Sequence, residues 1–230
     1  MDKTSEDEII LSYNDVVLRR SDLHILGGPH FLNDRIIEFY LSYLHSQYPS
    51  PDILLVPPSI SFWITNCPDV ESVKDFVKPL NLPEKKLVFF PVNDNIDVTK
   101  AEGGNHWSLL AFERDANLYV HHDSFGGYNT CHAKRLYDAV VPHMESSSTA
   151  SCGPFFECSS TPQQENGYDC GLYVLAIARA IWFWYCSSLP KDEGLWFSYV
   201  EQQVTPSVVS GMRKEILGLI SSFRNEKRRG

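Results

Sequence analysis

Three residues in this 230-residue chain, His106, Asp123 and Cys170, together with one of two adjacent amides, Gln163 or Gln164, have the types that thiol hydrolysis needs. The nucleophile is the decisive one. Cys170 stands where a polar, turn-rich segment, Pro162-Gln163-Gln164-Glu165-Asn166-Gly167-Tyr168-Asp169, runs directly into the most apolar stretch of the chain. That places it in the first turn of a predicted helix, where N–H groups lack intrahelical acceptors and the dipole end is positive, an environment that favours thiolate over thiol. A free thiol titrates near pH ~8.5, so a nearby imidazole would be needed for a well-populated nucleophile at neutral pH. Gly171 would leave room for a substrate backbone. The approach carries two amides, Gln163 and Gln164, and either could donate to the negative oxygen of a tetrahedral intermediate beside the Cys170 N–H. The remaining cysteines, at 67, 131, 152, 158 and 186, lack this combination and form no C-x-x-C pair, so they read as reduced thiols.

A base and its orienter come from a predicted hairpin. Trp107 to Glu113 and Leu118 to His122 are short runs rich in aromatic and β-branched residues, joined by the polar quartet Arg114-Asp115-Ala116-Asn117. A turn centred between Arg114 and Asp115 sets His106 directly opposite Asp123, with Cβ atoms about 5 Å apart, close enough for the carboxylate to hold an imidazole nitrogen. A slip of one residue would send the two to opposite faces. His121, His122, Cys131 and His132 also cluster, but adjacent strand residues point to opposite faces and no ligand pair repeats. That spacing argues against a structural metal.

The elements that must carry these groups follow from periodicity. A helix begins near Asp34 with Asn33 as N-cap and Ile37, Tyr40, Leu41 and Leu44 on one face; Pro49 and Pro51 end it. Short helices are expected around Ser59 to Thr65 and from Pro68 to Leu80. Strands follow at Lys86 to Val92 and in the hairpin, then a helix near Ala133 to Val141, a Ser-rich loop over 145–153 and a further strand at Pro154 to Cys158. A buried helix follows Cys170, and Pro206 to Phe223 closes the chain with Val209, Met212, Ile216, Leu219 and Ile220 on one face. Helices, a mostly antiparallel sheet and helices again make an α+β fold, expected as a single domain over 1–230 with short acidic N-terminal and basic C-terminal tails. A chain of this length can bury roughly 70% of its unfolded surface without staples.

Composition narrows the partners. The chain carries 20 Lys+Arg against 29 Asp+Glu, a net charge of −9, which disfavours a nucleic-acid or anionic-membrane surface. Its N-terminus is acidic where a targeting segment would be basic, and the longest apolar run, Leu172 to Tyr185, is interrupted by Arg179 and is too short to span a bilayer. A monomer in the cytoplasm or nucleus is the expectation, with no cofactor.

Three motifs in order are similar to those of the ubiquitin-like-protein-specific cysteine proteases, the Ulp/sentrin-specific protease family: Gly104-Asn105-His106-Trp107-Ser108-Leu109-Leu110, His122-Asp123-Ser124, and Gln163-Gln164-Glu165-Asn166-Gly167-Tyr168-Asp169-Cys170-Gly171. Within it the chain most resembles the short deneddylases, of the sentrin-specific protease 8 type, through Ile10 to Tyr13, Leu18 to Asp22, Phe31-Leu32-Asn33-Asp34, Pro79 to Pro83 and Asn93-Asp94-Asn95. The resemblance implies a papain-like fold with the catalytic Cys at the start of a buried helix. It assigns His106 as general base, Asp123 as its orienter, Cys170 as nucleophile and Gln164 as oxyanion donor. It further implies a narrow channel for a Gly-Gly tail, roofed in part by Trp107, with Phe31 where the family usually has Trp, and substrate contacts at Asn33, Asp34 and Gly171. The implied substrates are the Nedd/RUB-type modifier and its conjugates, such as cullin-type targets. The segment from Asn93 to Asn105 would then order over the bound modifier.

Alternatives remain in the residues themselves. A protease for SUMO or ubiquitin would share the same catalytic groups, a silent binding module would not need all four, and an acyltransferase would need a cofactor-binding addition. Residues 1–114 hold 17 of the 29 acids and 10 of the 20 bases, so an acidic docking face for a basic modifier patch is expected in the part preceding the hairpin's second strand.

Overall fold

The side chain of Asn33 starts the first long helix as its spacing predicts: Asn33 Oδ1 accepts the Ile36 N–H at 3.1 Å, and the helix runs over Asp34–Gln47. Ile37, Tyr40, Leu41 and Leu44 are all buried on its inner face. In the computed structural model, residues 6–100, 103–144, 153–187 and 194–229 are described. The chain gathers into two units, one of residues 1–47 with 164–230 and one of residues 48–163.

The first unit opens with a two-stranded hairpin, β1 (Ile9–Tyr13) and β2 (Val16–Arg19), turned by Asn14-Asp15 with Asn14 in the left-handed region at φ 48°. Helices α1 (Arg20–Gly27) and α2 (Asp34–Gln47) follow; α6 (Cys170–Cys186), α7 (Phe197–Gln203) and α8 (Pro206–Arg229) complete it. Val209, Met212, Ile216 and Ile220 form the buried stripe of α8, which packs on α1, β1 and α6. Asp22 is a fully buried carboxylate on α1. It accepts from Arg35 at 2.9 Å, from Asn33 Nδ2 at 2.7 Å and from the Arg19 N–H at 2.7 Å, which ties the start of α2 to the start of α1. A buried charge held this way specifies geometry because removing one partner strands the other without solvent.

The second unit is a five-stranded sheet in the order β3-β4-β5-β6-β7, where β3 is Ile53–Leu55, β4 Leu87–Asn93, β5 Trp107–Glu113, β6 Leu118–His122 and β7 Phe155–Glu157. The two long central pairings, β4 with β5 and β5 with β6, are antiparallel as expected. Both edge pairings are parallel. The reason is connectivity: β3 reaches β4 through α3 (Pro58–Asn66) and α4 (Val70–Val77), and β6 reaches β7 through α5 (Thr130–Val140). A helical crossover returns the chain in the same direction, whereas a tight turn reverses it. Val88, Phe90 and Val92 of β4, Leu110 and Phe112 of β5 and Tyr119 of β6 pack with Ile64, Val73, Val77, Ala133, Leu136 and Val140 into one core. The expected Ser-rich loop lies largely outside the described residues.

Candidate active site

His106 immediately precedes β5 and Asp123 immediately follows β6, so the hairpin register decides whether they can meet. In the structure Leu109 faces His122 and Glu113 faces Leu118, which centres the turn between Asp115 and Ala116. The expected register was two residues short: the quartet Arg114 to Asn117 lies in the loop as expected, closed by the Asn117 N–H on the Arg114 carbonyl at 3.0 Å and by Asn117 at φ 47°, but such a four-residue loop is centred one position later than between Arg114 and Asp115. A slip of two preserves which face each side chain takes. His106 is therefore a diagonal rather than a direct neighbour of Asp123, still within reach of a long side chain. Nε2 of His106 lies 2.7 Å from Oδ1 of Asp123, with both side chains buried.

Asp123 is held as an anion. Burial pushes its carboxyl pKa up, but the His106 ring and the N–H groups of Asn129 (2.7 Å) and Phe125 (2.8 Å) outweigh it, so the pKa falls below the ordinary carboxylate value. An ionised Asp123 accepts a hydrogen bond from Nε2–H, which keeps the proton on Nε2 and leaves Nδ1 as the basic atom of the ring. The backbone of His106 is fixed as well. Its carbonyl accepts from Asn93 Nδ2 at 3.2 Å and Asn129 Nδ2 at 3.3 Å, and its N–H donates to Asp94 Oδ1 at 3.0 Å. Asn129, fully buried, thus grips the carbonyl of the imidazole residue with its side chain and the carboxylate with its N–H. Sequence reasoning did not single it out; its position as N-cap of α5, six residues after Asp123, was the available signal.

Beside the dyad, Phe125 and Tyr128 present exposed rings with centroids 5.8 and 5.4 Å from that of His106. Gly126 and Gly127, at φ 65° and 77°, let the chain turn between them. Trp107 opens β5 opposite Asn93 and is largely buried. The segment after β4 is already braced: Asn93, Asn95 and Asp97 each accept an N–H from two residues ahead, in successive Asx turns. Those bonds fix the path of residues 93–99.

The two amides separate clearly. Gln163 Nε2 donates to the carbonyls of Asp123 (3.0 Å) and Thr161 (2.8 Å) while its Oε1 accepts the Gly126 N–H, so it serves the loop that carries Asp123. Gln164 Nε2 makes one such donation, to the Asn166 carbonyl at 2.6 Å, which fixes the amide with its nitrogen toward the Cys170 loop.

His121 and His122 point to opposite faces, as adjacent strand residues must. His121 sits between Ser108 Oγ (2.9 Å) and Glu157 (2.8 Å). The arrangement has the order of a hydroxyl–imidazole–carboxylate relay, yet Ser108 is 1% exposed, so it braces the sheet. His122 donates Nδ1–H to Thr161 Oγ1 at 2.9 Å. Burial first, and the neighbouring His121 second, lower its pKa from 6.5 to about 3. A folded state that refuses a proton the unfolded chain accepts loses stability as pH falls from about 6.5 toward 3. His122→Gln, which cannot charge, is expected to flatten the fall in urea midpoint between pH 6.5 and 4; an unchanged slope would refute that origin.

The other unit carries the thiol. Cys170 is the first residue of α6, and its N–H belongs to the turn that has no intrahelical acceptor. The loop before it is braced by Asn166, whose Oδ1 accepts the N–H groups of Tyr168 and Asp169 at 3.0 Å each and whose Nδ2 donates to Asp169 at 2.8 Å. Gln164 and Cys170 are therefore the two ends of one braced seven-residue turn. Gly171 admits a neighbour within this unit: a Cβ there would lie 2.9 Å from Leu32 Cβ. Of the flanking candidates, Phe31 is exposed, Asn33 spends both polar atoms on the α2 cap and on Asp22, and Asp34 Oδ1 accepts the Arg35 N–H.

Residues 30–183 match the model of the Ulp1 protease family, C-terminal catalytic domain. The chain is 54% identical over 227 residues to NEDD8-specific protease 1 of Arabidopsis thaliana, covering 98% of both, and 34% identical to sentrin-specific protease 8 of Mus musculus, covering 94% and 93%. Among solved structures, the C-terminal Ulp1 protease domain in complex with Smt3, the yeast ortholog of SUMO, superposes with a TM-score of 0.64 at 20% identity, covering 97% of this chain and 96% of that one. That last likeness is one of fold.

Proposed function

The chain belongs to the Ulp1 protease family, and on that premise we propose that it cleaves after the C-terminal Gly-Gly of a Nedd/RUB-type modifier, maturing the precursor and releasing the modifier from target lysines. It is a cysteine-type peptidase. The observation that carries the substrate assignment is the 54% identity to a NEDD8-specific protease over 98% of both chains.

In this reading Cys170 Sγ attacks the glycyl carbonyl and gives its proton to His106 Nδ1. The negative oxygen that forms is met by the Cys170 N–H and by Gln164 Nε2, donors of a kind whose individual loss costs about 10²- to 10³-fold in rate. His106 then protonates the departing lysine amine and leaves a thioester; water, deprotonated by the same nitrogen, hydrolyses it to free carboxylate and thiol. Asp123 holds the ring in the required tautomer throughout. Trp107, Phe31 and Asp34 would line the path of the tail, whereas the space over Gly171 is filled by Leu32. The buried His106–Asp123 contact and the start of α6 at Cys170 both support this division of roles.

Nedd/RUB, SUMO and ubiquitin, each bearing an electrophile at the C-terminal glycine, separate the possible substrates. The Nedd/RUB probe is expected to label Cys170 at least about a hundredfold faster than the others; equal or faster labelling by SUMO would transfer the assignment.

A further inference from the structure

Arg213, on α8, lies far in sequence from the catalytic motifs, yet its guanidinium closes on the residue before the nucleophile. Its Nη2 donates to Asp169 Oδ1 at 2.9 Å, and Nε adds a longer contact to the same oxygen at 3.3 Å. Nη2 also reaches the His30 carbonyl at 2.7 Å, and Nη1 the Ile25 carbonyl at 3.0 Å. The Tyr168 ring lies 5.6 Å below the guanidinium carbon. The pair is nearly dry, with side-chain exposures of 14% for Arg213 and 11% for Asp169. Asp169 stands at the N-cap of α6 and does not cap it with its side chain. The carboxylate is turned away to Arg213 and to Asn166 Nδ2.

From this geometry we infer that Arg213 is a positioning residue for the thiol, fixing the Asp169–Cys170 turn and the segment 25–30 in one arrangement. The inference rests on Cys170 being the nucleophile. The mechanism is mechanical. One planar fork satisfies a carboxylate on the nucleophile's loop and two carbonyls on the chain leading to Phe31 and Leu32, and Leu32 is the side chain that fills the space over Gly171. The orientation of the Cys170 N–H and Sγ is thereby referred to α8, a helix of 24 residues anchored by its own buried stripe. A lysine can supply the charge but not the fork, because an ammonium is a point donor without the planar spread. Small misplacements matter at this point: a shift of about 1 Å in a reacting group can cost on the order of 10²-fold in rate.

The experiment measures kcat and KM for a modifier fusion, with kcat referred to competent sites counted by titrating Cys170 with an electrophilic-tail modifier. Counting sites removes any contribution from a poorly folded fraction. Arg213→Ala is expected to lower kcat per labelled site roughly ten- to a hundredfold with KM within about threefold, and Arg213→Lys to restore thermal stability more fully than kcat. Asp169→Ala should act in the same direction, and the loss in the double variant Asp169→Ala/Arg213→Ala should fall short of the product of the two single losses, because both remove the shared Asp169–Arg213 bond. Wild-type kcat per labelled site in Arg213→Ala, or losses in the double variant that multiply, would overturn the inference. Should Arg213→Ala fail to fold, the test falls to Asp169→Ala and Arg213→Lys with the same criteria. A Cys170→Ala protein that still cleaves would instead overturn the underlying reading, whatever the Arg213 variants do.

Discussion

Cys170→Ala is expected to reduce cleavage of a modifier fusion on the order of 10⁵-fold or more, to background, while the protein still folds and binds the modifier. The expectation separates chemistry from structure because alanine suits the site. Cys170 is fully buried in the first turn of α6, alanine is the best helix former, and the thiol is only slightly larger, so the stability cost should stay near about 1 kcal/mol. Modifier affinity measured by calorimetry on the alanine variant reports docking without turnover. Residual cleavage above about one part in a hundred, with binding intact, would mean that another group supplies the nucleophile.

Asp123→Asn should be the next most damaging change, lowering kcat about 10³- to 10⁴-fold with a smaller effect on KM, by analogy with the tautomer argument for serine protease triads. The carboxylate accepts from His106 Nε2, from the Phe125 N–H and from the Asn129 N–H. An asparagine offers one accepting oxygen and a nitrogen that donates. With the oxygen kept on the Asn129 N–H, the amide nitrogen takes the place of Oδ1, faces His106 and draws the ring's lone pair to Nε2, which puts the proton on Nδ1 and removes the base. Kinetics of the variant from pH 6 to 9 check this. A loss of less than tenfold would show that the ring does not depend on Asp123 for its tautomer.

Much of this could be read from residue order, and the failures have physical causes. The start of α2 was legible because Asn33, the heptad-like apolar spacing and two prolines all agree. The strands of the hairpin were legible from their composition, and a four-residue turn over Arg114 to Asn117 sets the observed register, Glu113 opposite Leu118; a turn centre placed one position too early displaced the expected pairing. The β1–β2 hairpin went unseen although Asn14-Asp15 between β-branched runs is a turn signal; its strands are too short to show alternation. Ile53–Leu55 carries no period at all, and becomes a strand only because β4 is there to pair with it. Of the site, the His106–Asp123 contact and the place of Cys170 at a helix start were visible from type and spacing. Asn129, Asp94 and Arg213 were not, because each acts on backbone groups or through another side chain, and such service leaves no mark in composition. Gln163 and Gln164 are adjacent amides that composition does not separate; in the structure Gln163 bonds the loop of Asp123 and Gln164 the carbonyl of Asn166.

The order in which the chain visits its units sets a schedule for biosynthesis. Residues 48–163 are contiguous, so the sheet with its His106–Asp123 pair can be completed while the ribosome is still translating, as domains generally fold in the order they emerge. The unit that holds the thiol instead joins residues 1–47 to residues 164–230, so it cannot close until the whole of the sheet unit's sequence has been made. The His106–Asp123 pair can therefore form before the turn that carries Cys170 is seated on α8.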